Sequence, residues 1–247
     1  MKNLLQFQVR KLFLILMLIP IMCLSQTKNV VATSRVFPKV EKQLEFEKAL
    51  ATHSQKYHTG DVKWRVFQIQ SGPDAGGYHI SEGPKSWQSE DARGDINVEH
   101  NNDWHKNVTV YLTDRNSHGY SVYIDSLSTI AIGDFSDKIQ ITHLYPKPGC
   151  GNKVVSMIKN LKQAWAAEGS TIAVYEASGS GAPQYTMVRR FKQGLKEKED
   201  GFRKPFKGTY EKIFGAGSFD IYLDNIREYT NDIWSELLFY RVDLSSK

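Results

Sequence analysis

The chain has 247 residues, 32 of them basic and 27 acidic, with two cysteines and 12% aromatic side chains. Residues 1–25 hold three basic residues, Lys2, Arg10 and Lys11, and no acid, so residues 26–247 carry 29 basic and 27 acidic groups. The near-neutral remainder excludes nucleic-acid binding argued from charge alone. Two cysteines exclude a disulfide scaffold and a multi-cysteine zinc site.

Residues 1–25 have the three zones of an export signal. A positive start is followed by the apolar run Leu12–Ile21, broken only by Pro20, with Cys23 and Ser25 at positions −3 and −1. The apolar run of about 13 residues is roughly 20 Å long as a helix, short of the roughly 30 Å bilayer core. Cleavage near Ser25-Gln26 is expected, giving a secreted or periplasmic protein with no transmembrane anchor. Met22, where a lipid-modified cysteine would need a small neighbour, argues against lipidation of Cys23. Cys150 is then the one remaining thiol. It lies between two glycines at an expected helix start, where a helix dipole favours thiolate, but it has no partner cysteine and no adjacent histidine. It reads as a small residue in a tight loop.

The expected elements run in the same order through both halves. Strands are expected near Val31–Phe37, Lys63–Gln70, Gly77–Ser81 and Tyr120–Asp125, with a helix near Val40–Tyr57 whose apolar side carries Leu44, Phe46, Leu50 and Ala51. The second half repeats this with strands over Lys138–Tyr145, Thr171–Ala177, Tyr185–Arg190 and Glu236–Val242. Val154, Ile158, Leu161 and Trp165 form the stripe of an amphipathic helix that Gly169 ends. Glu82–His118 and Phe191–Ser235 are long for loops, so helices are expected there, with Ile213, Phe214, Ile221, Ile226 and Trp234 buried. Two landmarks recur. Val36-Phe37-Pro38-Lys39 matches Leu144-Tyr145-Pro146-Lys147 at an offset of 108, and Ser71-Gly72 with Tyr78 matches Ser178-Gly179 with Tyr185 at 107.

A signal (1–25) followed by two α+β repeats (26–137 and 138–247) is the resulting domain scheme. The order β-α-β-β-α-β is that of a ferredoxin-like unit. With those landmarks, the chain resembles the dimeric α+β barrel superfamily in duplicated, single-chain form. That resemblance implies tandem ferredoxin-like repeats closing an intramolecular barrel, in a grouping that includes small monooxygenases and haem-degrading enzymes. No catalytic motif of a member family carries over residue by residue.

Candidate chemistry is sparse. No G-x-S-x-G elbow and no phosphate loop is present. His143 shares parity with Ile139 and Ile141 and is expected on a buried strand face; His79 lies on a strand whose interior face the pattern leaves open. With Tyr78 and Tyr185 they are the candidates for orienting or protonating a substrate. Trp64 and Trp165 are candidates for binding it. His53 and His58, five residues apart, are about 140° apart around a helix, and Glu99–His105 lacks the spacing of a calcium loop or zinc protease, so no metal site is expected. The basic segment from Arg189 and Arg190 through Lys204 to Lys207 is a candidate for docking an anionic partner.

The sequence thus gives an exported protein of unfixed activity and no named cofactor. The favoured expectation is a barrel that binds a small apolar molecule, as a cofactor-independent oxygenase or a haem-handling protein. The alternative is a non-enzymatic envelope protein docking an anionic partner through residues 189–207.

Overall fold

The computed structural model describes residues 27–247; the expected export signal, residues 1–25, lies outside them. Eight strands form one closed antiparallel barrel in the order β1-β3-β2-β8-β5-β7-β6-β4, with β4 pairing back onto β1. They are β1 (Val30–Pro38), β2 (Trp64–Ile69), β3 (Tyr78–Lys85), β4 (Leu112–Tyr123), β5 (Lys138–Pro146), β6 (Ile172–Ser178), β7 (Tyr185–Arg190) and β8 (Thr230–Tyr240). Six α-helices accompany them: α1 (Gln43–Tyr57), α2 (Trp87–Arg93), α3 (Val98–Asp103), α4 (Gly151–Ala167), α5 (Phe206–Phe214) and α6 (Ser218–Tyr229). Among the described residues no helix is long and apolar enough to cross a membrane.

Period-two alternation sorts each strand into an inward and an outward row. In β5, Ile139, Ile141 and His143 border the lumen, while Leu144 joins the outer core. The outer rows bury themselves under helices. Val154, Ile158, Leu161 and Trp165 of α4 pack against Ile172, Val174, Tyr185 and Met187. Each such side chain contributes about 1.5–3 kcal/mol on burial. Gly169, at φ +71°, lets the chain turn back after α4. On the other side Phe46 and Leu50 of α1 cover Val36, Val66, Tyr78 and Ile80.

Several boundaries differ from the expected ones. β4 begins at Leu112 rather than near Tyr120, because its first part is polar and exposed and carries no hydrophobic alternation. β8 begins at Thr230 and ends at Tyr240. Leu44 of α1 and Ile213 and Ile221 of the second helical region are exposed, whereas Phe214 and Ile226 do pack on the core. Trp234 turns inward to the lumen.

Candidate functional sites: the barrel lumen and a histidine cluster

The lumen encloses a cavity of about 410 Å³. Its walls are Phe67, Ile139, Ile141 and Val188, and the loop after β4 contributes Ile132 and Phe135. Arg190, 2% exposed, fixes that loop by donating to the carbonyls of Ala131 (2.8 Å), Ile132 (3.1 Å) and Asp134, and to the Tyr175 hydroxyl (2.9 Å). The exposed Ser117 and His118 of β4 and the turn residue Gly181 also border the cavity.

A polar cluster occupies part of this lumen. Arg35 of β1 sits beside His79 of β3 in the strand register. Its guanidinium spans Glu236 (Nη1 to Oε2, 3.0 Å, and a second bond from Nη2) and also donates to Asp74, which Arg115 reaches from outside. His143 Nε2 lies 2.8 Å from Glu236 Oε1, its Nδ1 lies 2.6 Å from Gln184 Nε2, and its ring stacks on Trp234 at 3.9 Å. Burial pushes the Glu236 carboxyl up, but hydrogen bonds from His143 and Arg35 outweigh it and hold the group below the usual carboxylate range. Glu236 therefore accepts, Nε2 carries the His143 proton, and Nδ1 is the ring's basic nitrogen. Burial, then the nearby Arg35 charge, pull His79 down to about 3, so it is neutral at pH 7. Its Nδ1 is sealed from solvent without a hydrogen-bond partner.

A second cluster lies outside the barrel, between β2 and the helices α1 and α3. His53 and His58 are fully buried, and one ring nitrogen each from His53, His58 and His100 lies within 4.8 Å of the others. The outer nitrogens face oxygens: His53 Nδ1 to Asp103 Oδ2 at 2.7 Å, His58 Nδ1 to the Val62 carbonyl at 3.2 Å, and His100 Nδ1 to Asn101 Oδ1 at 2.9 Å. His58 Nε2 and His100 Nε2 are 3.2 Å apart, and His53 Nε2 is buried with no partner. Trp64 stacks on His58 at 3.4 Å. Glu82 stands behind, accepting from Lys85 (2.5 Å), Arg93 (2.8 Å) and Trp64 Nε1 (2.9 Å), with His58 Nδ1 3.5 Å away. Burial raises the Glu82 pKa, yet His58, Lys85 and Arg93 together drive it far below the usual range. Burial also pulls His53 down to about 4 against the Asp103 hydrogen bond, and lowers His58 against Glu82.

The spacing argument against a shared histidine face fails for a definite reason. His58 is the C-cap of α1, at φ −103° and ψ 77°, so helical angles no longer apply to it. His100 arrives from a separate helix, which no local pattern reports. The one sequence signal was the density of ligand atoms in Glu99–His105.

The other candidates divide by face. His79, His143 and Arg190 line the lumen. Tyr78 and Tyr185 point the opposite way, into the sheet–helix cores, where their hydroxyls bond Glu47 and Glu176, so the four residues proposed to act together do not meet. Trp64 belongs to the histidine cluster. Trp165, Arg189 and Lys204 line a third space, a cavity of about 550 Å³ on the outer face of the second half. Much of the 189–207 charge is spent internally: Arg203 on Glu197 (2.6 Å), Lys198 on Gln140 (2.9 Å), Lys192 on Asp134 and Lys207 on Asp220 (3.0 Å). Cys150 is half-buried before α4.

No protein-family model and no curated protein matches the chain. Solved structures do match. An anthrone oxidase-like protein superposes with a TM-score of 0.55 at 12% identity, over 87% of this chain and 92% of its own. A monooxygenase-like protein from Fusobacterium nucleatum gives 0.52 at 12%, over 85% and 91%. A chlorite dismutase variant from Candidatus Nitrospira defluvii gives 0.50 at 7%, over 89% and 94%. These neighbours are members of the dimeric α+β barrel superfamily, and this chain shares their fold. At these identities the likeness concerns the fold alone.

A haem in the lumen would need an axial histidine held by an outer hydrogen bond with its other nitrogen free for iron. His143 is held by Glu236 but has Gln184 against its Nδ1, and His79 has a partnerless Nδ1, so neither ring offers both features as it stands.

Proposed function

We propose that this chain is a small-molecule-binding barrel acting as a cofactor-independent oxygenase. The observation that carries the reading is the meeting of Arg35, His143 and Glu236 at a polar patch beside the apolar wall of Phe67, Ile139, Ile141 and Val188. The cavity volume falls in the range of small-molecule sites. Within the patch two arginines face Asp74 and Glu236, while Arg65 and Arg190 also line the lumen, so a ligand with a hydroxyl or carbonyl oxygen finds hydrogen-bond donors there. Trp234 and Phe67 offer flat apolar surface to an aromatic ring.

The His143–Glu236 pair has the form of a base held by a third group. Glu236 keeps the proton on Nε2, and Nδ1, once Gln184 swings off it, takes a proton from an acidic substrate hydroxyl or C–H. Arg35 lies next to the developing negative charge. The electron-rich anion so formed then reacts with O2, which accepts its electrons. The monooxygenase-like and anthrone oxidase-like names of fold neighbours agree with this chemistry. The same reading takes 26–137 and 138–247 as ferredoxin-like repeats, supported by matching strand orders β4-β1-β3-β2 and β8-β5-β7-β6. It takes residues 1–25 as the export signal.

The test is native mass spectrometry of protein from its own source, followed by oxygen uptake with anthrone as probe. A co-purifying small mass and an N-terminus at Gln26 are expected. His143→Gln should slow O2 consumption by about 10²–10⁴-fold, the usual worth of a general base. Uptake that is absent in the wild type, or unchanged in His143→Gln, would overturn the oxygenase reading. Retention of the co-purified mass by Ile141→Trp, which fills the lumen, would overturn the binding site.

A further inference from the structure

We propose that His53, His58 and His100 form a mononuclear site for a divalent transition-metal ion, with the three Nε2 atoms as ligands. Each Nδ1 faces an oxygen and so carries the proton: a carboxylate for His53, a backbone carbonyl for His58, an amide oxygen for His100. Three lone pairs therefore converge with no proton among them. Two of them face each other at 3.2 Å, and the third, on His53, is buried and unpartnered. Lone pairs opposed in this way repel unless a cation lies between them.

The His58–His100 separation of 3.2 Å suits one, and all three nitrogens lie within 4.8 Å of one another. Zinc–nitrogen bonds of about 2.0–2.1 Å in tetrahedral geometry place ligand nitrogens about 3.3 Å apart. A purely hydrogen-bonded account is less complete. Turning the Asn101 amide would let His100 donate to His58, but it leaves His53 Nε2 with nothing. The three outer acceptors are the partners that orient metal-bound imidazoles, and the stacked Trp64 together with Trp104, 5.1 Å from His53, walls off the rings. An all-imidazole set selects zinc, copper, iron or nickel over magnesium or calcium. Three protein ligands leave a fourth position for water or a small ligand, as in catalytic zinc sites.

The whole chain, stripped with EDTA, would be titrated with Zn²⁺ by calorimetry and with Co²⁺ by absorption. One ion per chain is expected, with the intense visible bands of four- or five-coordinate cobalt. His100→Ala, at the half-buried edge of the cluster, and His53→Ala should lose saturable binding; His105→Ala, an exposed histidine of the same segment, should keep it. Absence of saturable binding in the wild type, or its survival in His100→Ala, would overturn the site. Should the buried His53 variant fail to fold, the His100 variant, checked against the wild-type metal-free melting curve, decides alone.

Discussion

The outer faces of the two halves occupy corresponding places and have been filled in opposite ways. On the first, Trp64 pairs with Glu82 across β2 and β3 beneath the C-terminal end of α1. On the second, Ile172 pairs with Arg189 across β6 and β7 beneath the C-terminal end of α4. The first pair sits against three imidazoles and a satisfied carboxylate. The second borders an open space of about 550 Å³ with charged walls. The lesson is electrostatic. A buried carboxylate at position 82 collects cations and ring N–H groups around itself and draws the face closed. An arginine at the matching position reaches only Glu168, at 3.9 Å, and leaves its face open.

The largest effect should come from breaking the closed face. Glu82→Ala removes the carboxylate that Arg93 and Trp64 bond and leaves Lys85 to Glu90 alone, at a cost of about 3–5 kcal/mol in chemical denaturation, as for other broken buried ion networks. Next is Asp103→Asn, which loosens His53 without removing a ligand. It should weaken Zn²⁺ binding about 10- to 100-fold, as outer-sphere substitutions do, and calorimetry would read it.

The lumen between the faces supplies a pH test. His79 has a folded pKa near 3 against 6.5 in the unfolded chain. Only the unfolded chain gains this proton between those values, so His79 makes stability fall as pH drops from 6.5 toward 3. Arg35 of β1, His143 of β5 and Glu236 of β8 face the ring. Glu236, depressed as well, adds its loss only below its unfolded pKa of about 4.5. His79→Asn should make the curve less steep between pH 6.5 and 5 in urea melts, the slope that remains there belonging to His53 and His58, which burial also lowers. The smallest effect belongs to the open face: Arg189→Ala, with its distant partner, should cost less than about 1 kcal/mol. An Arg189 loss as large as that of Glu82 would end the comparison.

What the sequence made legible is the part set by local repetition. Pro38 and Pro146 end β1 and β5, Tyr78 and Tyr185 open β3 and β7, and the α4 stripe is buried where its spacing put it. The parity of His143 with Ile139 and Ile141 predicted its inward face. The parity of β3 left His79 open: Tyr78 and Ile80 mark one buried row, and the small Ser81 and Gly83 beside His79 give no sign of the lumen that covers the other. The histidine cluster was illegible because its members come from a helix cap and a separate helix, joined only by tertiary packing. Tyr78 and Tyr185 were grouped with the histidines as matching aromatics on expected strands, but Tyr78 is one step from His79 and Tyr185 pairs with Leu144, one step from His143, which puts both on the other side of the sheet.

Closure of the barrel depends on a strand that ends at residue 240. β8 bridges β2 and β5, and the short tail beyond it continues the job: Ser245 Oγ and Ser246 Oγ accept from the amides of Val66 and Trp64. A chain emerging in order therefore exposes raw strand edges on β2 and β5 until β8 arrives. Those long-range pairings make folding slow and late. Loss of β8 should convert a sealed cylinder into an open, sticky sheet, so proteolysis near residue 230 would act on solubility before it acted on any site.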